Sequence, residues 1–568
     1  MSWSGWLLLF VALNGVHFLS TWKLYRAAGK NAWEAAVPIY NAIVLMEIIH
    51  RPRWWVLLML IPIINLIIIP VIWVETIRSF GFNSTKDTAL VLFTGGLYTA
   101  TKNYGSTLKH VKDRSLKPKT AFGEWVSSIL FAVVAATLVH TYIMQPYIIP
   151  TGSLEKTLLV GDFLFVSKFH YGSRVPMTTV SFPMVHDTLP GLKIRSYLKK
   201  PQLPYLRLPG LQKIERNEIV VFSWPADTVR QFFVKEAGVR KPIDKKSNYV
   251  KRCVAIPGDT LQIIDGLVHI DGERTQLPQR ARVQYIHTLS HNEGISARKL
   301  LDLGYKDFTR TYKIKGITQQ SFNAIRPYIL GTTGTSVEDF KVITSSRGLP
   351  IEIVQQLRLQ VTEVLARERQ LTLTLNEAKE LAIQPWVDTV VRRNQTESIP
   401  NTNFFPNALP YDWNEDNFGP LVLPKKGIQV TLTRENYPIY KKLIREYEKN
   451  DFIKKADRFY LNGQEVTQYT FKQDYYWMMG DNRHKSEDSR FWGFVPADHI
   501  VGKPVFIWFS IEGINDGIKN WRIRWNRLFT TVGLEGKPRS YFPHFIVIVA
   551  LWQLFSWYRK RKVKKETA

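Results

Sequence analysis

The sequence predicts a membrane-anchored protein whose main body is a mainly β domain interrupted by an inserted α+β subdomain. Three observations carry that reading. An apolar run at 124–144 is long enough to cross a bilayer, because about 20 helical residues at 1.5 Å each span its hydrocarbon core. Short apolar strands recur after it at Val160–Phe165, Glu218–Phe222 and Phe506–Ser510, with an Asp-Gly hairpin over Leu261–Gly272. Between 275 and 458 that pattern gives way to charged sequence with helical periodicity at 350–384 and 435–450.

Taken in order, residues 1–122 form a hydrophobic module. Its spanning segments are 3–20 and 54–75, with a shorter one near 88–102. The stretch 33–49 is broken by Pro38, Glu34 and Glu47 and reads as interfacial or re-entrant. Residues 3–19 lack a basic leader and a small-x-small cleavage site, so they read as a retained helix rather than a cleaved signal. The loop from Lys102 to Lys119 carries Lys109, Lys112, Arg114 and Lys117, which places it in the cytoplasm. The anchor at 123–145 then leads outward to a β-rich core at 146–274 and 459–535, with the insertion at 275–458. A last apolar run, 541–558, precedes Arg559-Lys560-Arg561-Lys562 and returns the C-terminus to the cytoplasm. Several transmembrane helices and an extracytoplasmic domain follow from these flanks.

At 568 residues the chain exceeds one compact core. Its net charge of +28 is assigned to membrane flanks and a solvated surface. Zinc-finger spacing, an RNA-recognition signature and a basic zipper are all missing, so no nucleic acid is expected as a partner. The single cysteine, Cys253, excludes an intramolecular disulfide framework and a multi-cysteine zinc site.

Just past the anchor lies Ile149-Pro150-Thr151-Gly152-Ser153, where Pro and Gly force the chain out of helix and present two hydroxyls near the membrane. A serine hydroxyl needs a base to become a nucleophile. The twelve histidines are scattered, and His484 alone sits in a chemically dense segment, Met479–Gly493. A Ser-His-Asp triad therefore stays open. The alternative base is Lys251, flanked by Val250 and the apolar run 253–256. Burial that lowered its pKa by about 3 units, at a differential cost of about 4 kcal/mol, would make it useful near neutrality. The bland readings are a surface lysine on an edge strand and a solvated loop at 479–493.

Three segments together change the weighing. Pro150-Thr-Gly-Ser-Leu-Glu-Lys-Thr-Leu158 with Gly161-Asp-Phe, Tyr249-Val-Lys-Arg with Pro257-Gly-Asp, and Gly480-Asp-Asn-Arg with Ser486-Glu-Asp-Ser-Arg resemble the signature boxes of bacterial type I signal peptidases, in that family's order and after its anchor. The resemblance covers about 123–273 and 460–512. It implies a signal-peptidase-type β-fold and a serine endopeptidase that removes signal peptides after a small-x-small motif, without metal or cofactor. It casts Ser153 as nucleophile, Lys251 as general base, and Thr151 with the Ser153 N–H as the oxyanion hole. Ser486 would orient the lysine, and Arg252 with Asp481 and Asp488 with Arg490 would form supporting ion pairs. The implied partners are signal peptides of exported preproteins, the lipid bilayer and the secretion translocon; the implied location is the bacterial cytoplasmic membrane, multi-pass, with the catalytic domain on the periplasmic side.

There are departures. Leu154 and Lys156 stand where the family usually has Met and then Pro, and Arg216-Asn-Glu218 replaces its Arg-Gly-Asp. Ser153-Leu-Glu-Lys156 also satisfies the Ser-x-x-Lys of penicillin-binding proteins, but no Ser-Asp-Asn or Lys-Thr-Gly accompanies it. An inert scaffold is the remaining alternative, against which every side chain the mechanism requires is present.

Overall fold

Ser2 accepts a hydrogen bond from the Gly5 N–H and starts a 25-residue helix, Trp3–Ala27. Thr120 likewise caps Ala121–Leu138, which a π turn, Val139–Ile143, extends. In the computed structural model, residues 2–105, 107–118, 120–192, 194–227, 238–334, 340–396, 401–409 and 411–566 are described. Among these, Trp3–Ala27 and Ala121–Ile143 are the two helices long and apolar enough to cross a membrane by length and composition.

The expectation of several such helices is therefore reduced to two candidates. The 54–75 segment is not one helix: Pro62 and Ile63, at φ 71°, split it into Trp55–Leu60 and Asn65–Arg78. Gly95 and Gly96, both at positive φ, divide 88–102 between Thr85–Phe93 and Tyr98–Gly105. The last apolar run does form a helix, Phe542–Glu566, but its polar residues His544 and Gln553 and its basic tail keep it out of that class.

The main sheet is antiparallel and mixes near and distant sequence. Its order is Met144–Ile148, Asp162–Ser167, Ile500–Glu512, Ile219–Ser223, Asn248–Ala255, Tyr475–Met479 and Val495–Pro496. The strands expected at 160–165 and 218–222 are present, shifted to Asp162–Ser167 and Ile219–Ser223, and 506–510 lies inside Ile500–Glu512. The hairpin is formed by Thr260–Ile264 and Leu267–Ile270, with Asp265 at φ 50° and Gly266 at φ 75°, the paired left-handed conformation of a tight hairpin turn.

Residues 275–458 do not pack as one body. Gln284–Ile295 lies between Ala366–Thr374 and Thr389–Arg392, and a second sheet runs Ile329–Thr333, Lys341–Ser345, Thr309–Lys315, Gln360–Val364. Much of the helical periodicity at 350–384 is thus strand: only Ile351–Gln356 and Leu375–Ala382 are helical. Exposed polar positions such as Arg367, Glu368 and Gln370, and a buried charge at Arg369, disguised a strand whose residues Leu371 and Leu373 are buried. The helix expected at 435–450 is present as Tyr437–Lys442 with a π turn, Leu443–Tyr447. Further on, Phe405, Phe418, Leu421, Ile439 and Phe452 share one hydrophobic cluster with Val254, Leu261 and Trp477. Phe418–Val422 also pairs with Thr260–Ile264, so this part of the insertion is built into the core around the main sheet.

Candidate active site

The chain leaves the strand Met144–Ile148 at Ile149-Pro150 and makes a single 3-10 turn, Gly152–Leu154. Ser153 sits in that turn and is 8 % exposed. Lys251 comes from Asn248–Ala255, an interior strand of the sheet whose register sets Lys251 opposite Val220. The edge-strand reading is thereby overturned: Lys251 is 4 % exposed, and its Nζ lies 2.6 Å from Ser153 Oγ. Burial pulls its ammonium down to about 8, although the carboxylates of Asp488 and Glu487 hold it up. The Lys251 amine lies 5.7 Å from the centre of the Tyr249 ring, which stacks on Trp224 at 5.0 Å. Hydroxyl and amine thus meet in a site that excludes most water.

The third segment holds this pair from below. Asn482 donates its backbone N–H to the Ser153 carbonyl at 3.0 Å and its Nδ2 to the Gly152 carbonyl at 3.2 Å. Gly480 is required by close approach: a Cβ there would lie 2.2 Å from Ser486 Oγ and 2.6 Å from the Ser153 oxygen. Asp481 takes a two-pronged bond from Arg252, at 2.7 and 2.6 Å, and a third from Thr157 Oγ1 at 2.6 Å. Burial alone would raise its pKa, but the Arg252 guanidinium keeps it below the usual carboxylate range. Asp488 pairs with Arg490 through two bonds of 2.9 Å and accepts the Gly480 N–H at 3.1 Å. Both pairs are fully buried, where a broken pair costs far more than an exposed one.

Two residues depart from their expected contacts. Ser486 is buried beside Gly480, yet among the described residues its hydroxyl has no hydrogen-bond partner, so the bond orienting Lys251 is not formed. Thr151 is exposed in extended backbone at the N-cap, and its side chain makes no cap bond. The first N–H groups of such a turn have no intrahelical acceptor, which leaves the Ser153 N–H free to meet an oxyanion.

The sequence departures have physical solutions. Asn217 adopts φ 70°, a left-handed conformation that Asn tolerates better than most residues, and its carbonyl accepts from Arg252 Nη1 at 2.6 Å. Arg216 grips Asp259 through bonds of 2.8 and 2.7 Å. Lys156, also left-handed at φ 68°, turns toward the insertion and pairs with Glu377 at 2.5 Å. Glu377 belongs to the capping box of Leu375–Ala382, closed by Thr374. The lysine of the Ser-x-x-Lys pattern is therefore spent on a structural partner.

Other bonds join the insertion to the same turn. Gln284 reaches the Glu155 carbonyl at 2.5 Å with its side chain and the Asp481 carbonyl at 2.7 Å with its N–H. His484 is part of this seam: its Nδ1 accepts the Ile286 N–H at 3.0 Å and its Nε2 donates to Asp416 at 2.9 Å. With both nitrogens committed, His484 does not serve Ser153 as a base. Glu415, Asp416 and His484 bring three possible metal-ligand atoms within 4.8 Å of one another. However, the His484 lone pair is taken by Ile286, and Asp416 Oδ2 by the Gln395 N–H at 2.9 Å. Asn482, Thr157 and Gly480 lay inside the recognised segments without being singled out; Gln284 and Glu377 carried no signal at all.

The sequence matches the family described as signal peptidase, peptidase S26, over residues 122–315 and 425–509. The chain is similar to this family over both segments. Residues 33–113 match a separate family of unknown function, DUF5684. Among curated relatives, signal peptidase I of Rickettsia massiliae is 31% identical over 158 residues, 28% of this chain and 46% of that protein. Signal peptidase I of Haemophilus influenzae is 21% identical over 436 residues, 76% of this chain and 82% of that protein. That of Buchnera aphidicola is 24% identical over 398 residues, covering 70% and 78%. This chain thus spans about half the length of its Rickettsia relative and most of the other two. The two apolar helices and these bacterial relatives identify a membrane-anchored protein.

Proposed function

We propose that this protein is a type I signal peptidase, cleaving signal peptides from exported preproteins after a small-x-small motif. The observation that carries the reading is the buried 2.6 Å contact between Lys251 Nζ and Ser153 Oγ, in a site that lowers the lysine pKa to about 8. Neutral Lys251 takes the Ser153 proton as Oγ attacks the scissile carbonyl. The Ser153 N–H and the Thr151 hydroxyl stabilise the oxyanion. The ammonium returns its proton to the leaving amine, and the acyl-enzyme is released by a water that the same lysine deprotonates. The strand Met144–Ile148 has one neighbour in the sheet among the described residues, which leaves an edge beside Ser153 for an extended substrate.

The placement suits this substrate. A signal peptide leaves the bilayer where its apolar helix ends, and Ser153 lies ten residues past Ile143, the end of the apolar helix. In this reading the protein is multi-pass in a bacterial cytoplasmic membrane, with residues 146–535 outside and preproteins arriving from the translocon. A tag at residue 300 should be protease-accessible only from the extracytoplasmic face. Incubating a purified preprotein with the enzyme in liposomes should yield the shortened product, and Lys251→Ala should not. Equal processing by that variant would remove the dyad from the mechanism.

A further inference from the structure

A second cluster of cations surrounds a cavity of about 130 Å³ away from the Ser153–Lys251 contact. Its wall runs from His140 and Thr141, at the end of the apolar helix, to Lys168, Arg174 and Lys245. Among the described residues the Lys168 ammonium makes no hydrogen bond or ion pair. Among the described residues Arg174 bonds neutral oxygens, the Asp498 carbonyl at 3.1 Å and Ser223 Oγ at 3.2 Å. Lys245 does the same with Ser181 Oγ at 2.7 Å and the Val185 carbonyl at 3.4 Å.

The nearby carboxylates answer only part of this charge: Asp244 and Asp498 act on Arg174, and Asp244 and Asp187 on Lys245, while none among the described residues acts on Lys168. Asp244, on the wall, accepts the N–H and the hydroxyl of Thr178, each at 2.9 Å. Asp187 pairs with Lys241 at 3.0 Å, and Asp498 accepts a 2.6 Å bond from His499, a ring that burial keeps neutral near pH 7. Three cations thus face one carboxylate across a shared cavity. Gathering three cations around a single wall carboxylate is unfavourable, and burial beside Arg174 pulls the Lys168 ammonium down to about 7. An oxyanion would reverse both effects. The volume is that of several waters at about 30 Å³ each, enough for a phosphate group.

We propose that this cavity binds a phosphate-type oxyanion, either the phosphodiester of a lipid headgroup or free phosphate. The location admits the first source, because a bilayer crossed by Ala121–Ile143 brings its headgroups to the level of His140 and Thr141. Recognition needs no peptide cleavage, so it stands or falls apart from the peptidase reading.

The test uses the full chain in maltoside micelles and phosphate-free buffer, with the thermal unfolding midpoint as readout. One arm titrates inorganic phosphate. The other titrates short-chain phosphatidylglycerol against diacylglycerol of the same chains. A rise with phosphate assigns free phosphate as a ligand; a rise with phosphatidylglycerol alone assigns the headgroup. Lys168→Met should weaken binding roughly tenfold or more, and Lys168→Arg, which keeps the charge, should retain it. No rise in either arm, or a rise unchanged in Lys168→Met, overturns the proposal.

Discussion

Lys251 can accept the Ser153 proton only as the neutral amine, so pH sets the active fraction of the enzyme. With its pKa drawn down to about 8 by burial, roughly one per cent is neutral at pH 6 and about half at pH 8. The expected kcat/KM for a quenched peptide bearing a small-x-small site therefore rises about 50-fold between those values and levels off above about pH 9. The assay runs in detergent from pH 6 to 10, with Ser153→Ala as blank. A flat profile, a rise still tenfold per unit at pH 10, or a single inflexion near 6.5 would refute the reasoning, the last pointing to histidine. Stability should move with the same group. Its folded pKa lies below its unfolded value of 10.5, so the native state binds fewer protons between about pH 8 and 10.5 and gains stability across that window. Below pH 8 the whole cost of burying the ammonium, roughly 3 kcal/mol, is present. Lys251→Met removes that cost: the variant should be inactive yet no less stable than wild type at pH 7 by urea unfolding.

Three other experiments probe the support of this contact. Gly480→Ala drives a Cβ against Ser486 and the Ser153 carbonyl, so it should lose about 1–3 kcal/mol of stability and most of kcat, measured by unfolding and turnover together. Asp481→Asn leaves the Arg252 charge buried without its partner and should cost about 3–5 kcal/mol; a change under about 1 kcal/mol would show the pair to be incidental. Lys156 and Glu377 are each a little under one-third exposed, so a double-mutant cycle with Ala at both should return a coupling of only about 0.5–1 kcal/mol, with kcat following the single variants.

The site was more legible in the sequence than the fold around it. Ser153, Lys251 and both ion pairs fell in short segments whose residue types the chemistry demands, and the folded chain brings them together. The interior position of the lysine strand was not legible, because its neighbours Ile219–Ser223 and Tyr475–Met479 join it from both sides and the latter lies more than 200 residues away. Ser486 shows the converse: its type fits a lysine-orienting role, while beside Gly480 its hydroxyl has no partner among the described residues. In the membrane module, composition alone joined 54–75 into one span, and backbone at Pro62 and Ile63 divides it. The insertion misled for a different reason. Strands with charged outer faces imitate helical periodicity, and a seam made by Gln284, Ile286 and Glu377 depends on partners no local pattern reveals.

The central claim is that Ser153, activated by Lys251, cuts preproteins behind their signal segments. N-terminal sequencing of a preprotein, before and after incubation with wild type and with Ser153→Ala in liposomes, tests it most directly. The account predicts a new N-terminus immediately after a small-x-small motif with wild type and the unchanged N-terminus with the variant. The same product from both proteins, or no cleavage by either, would contradict it.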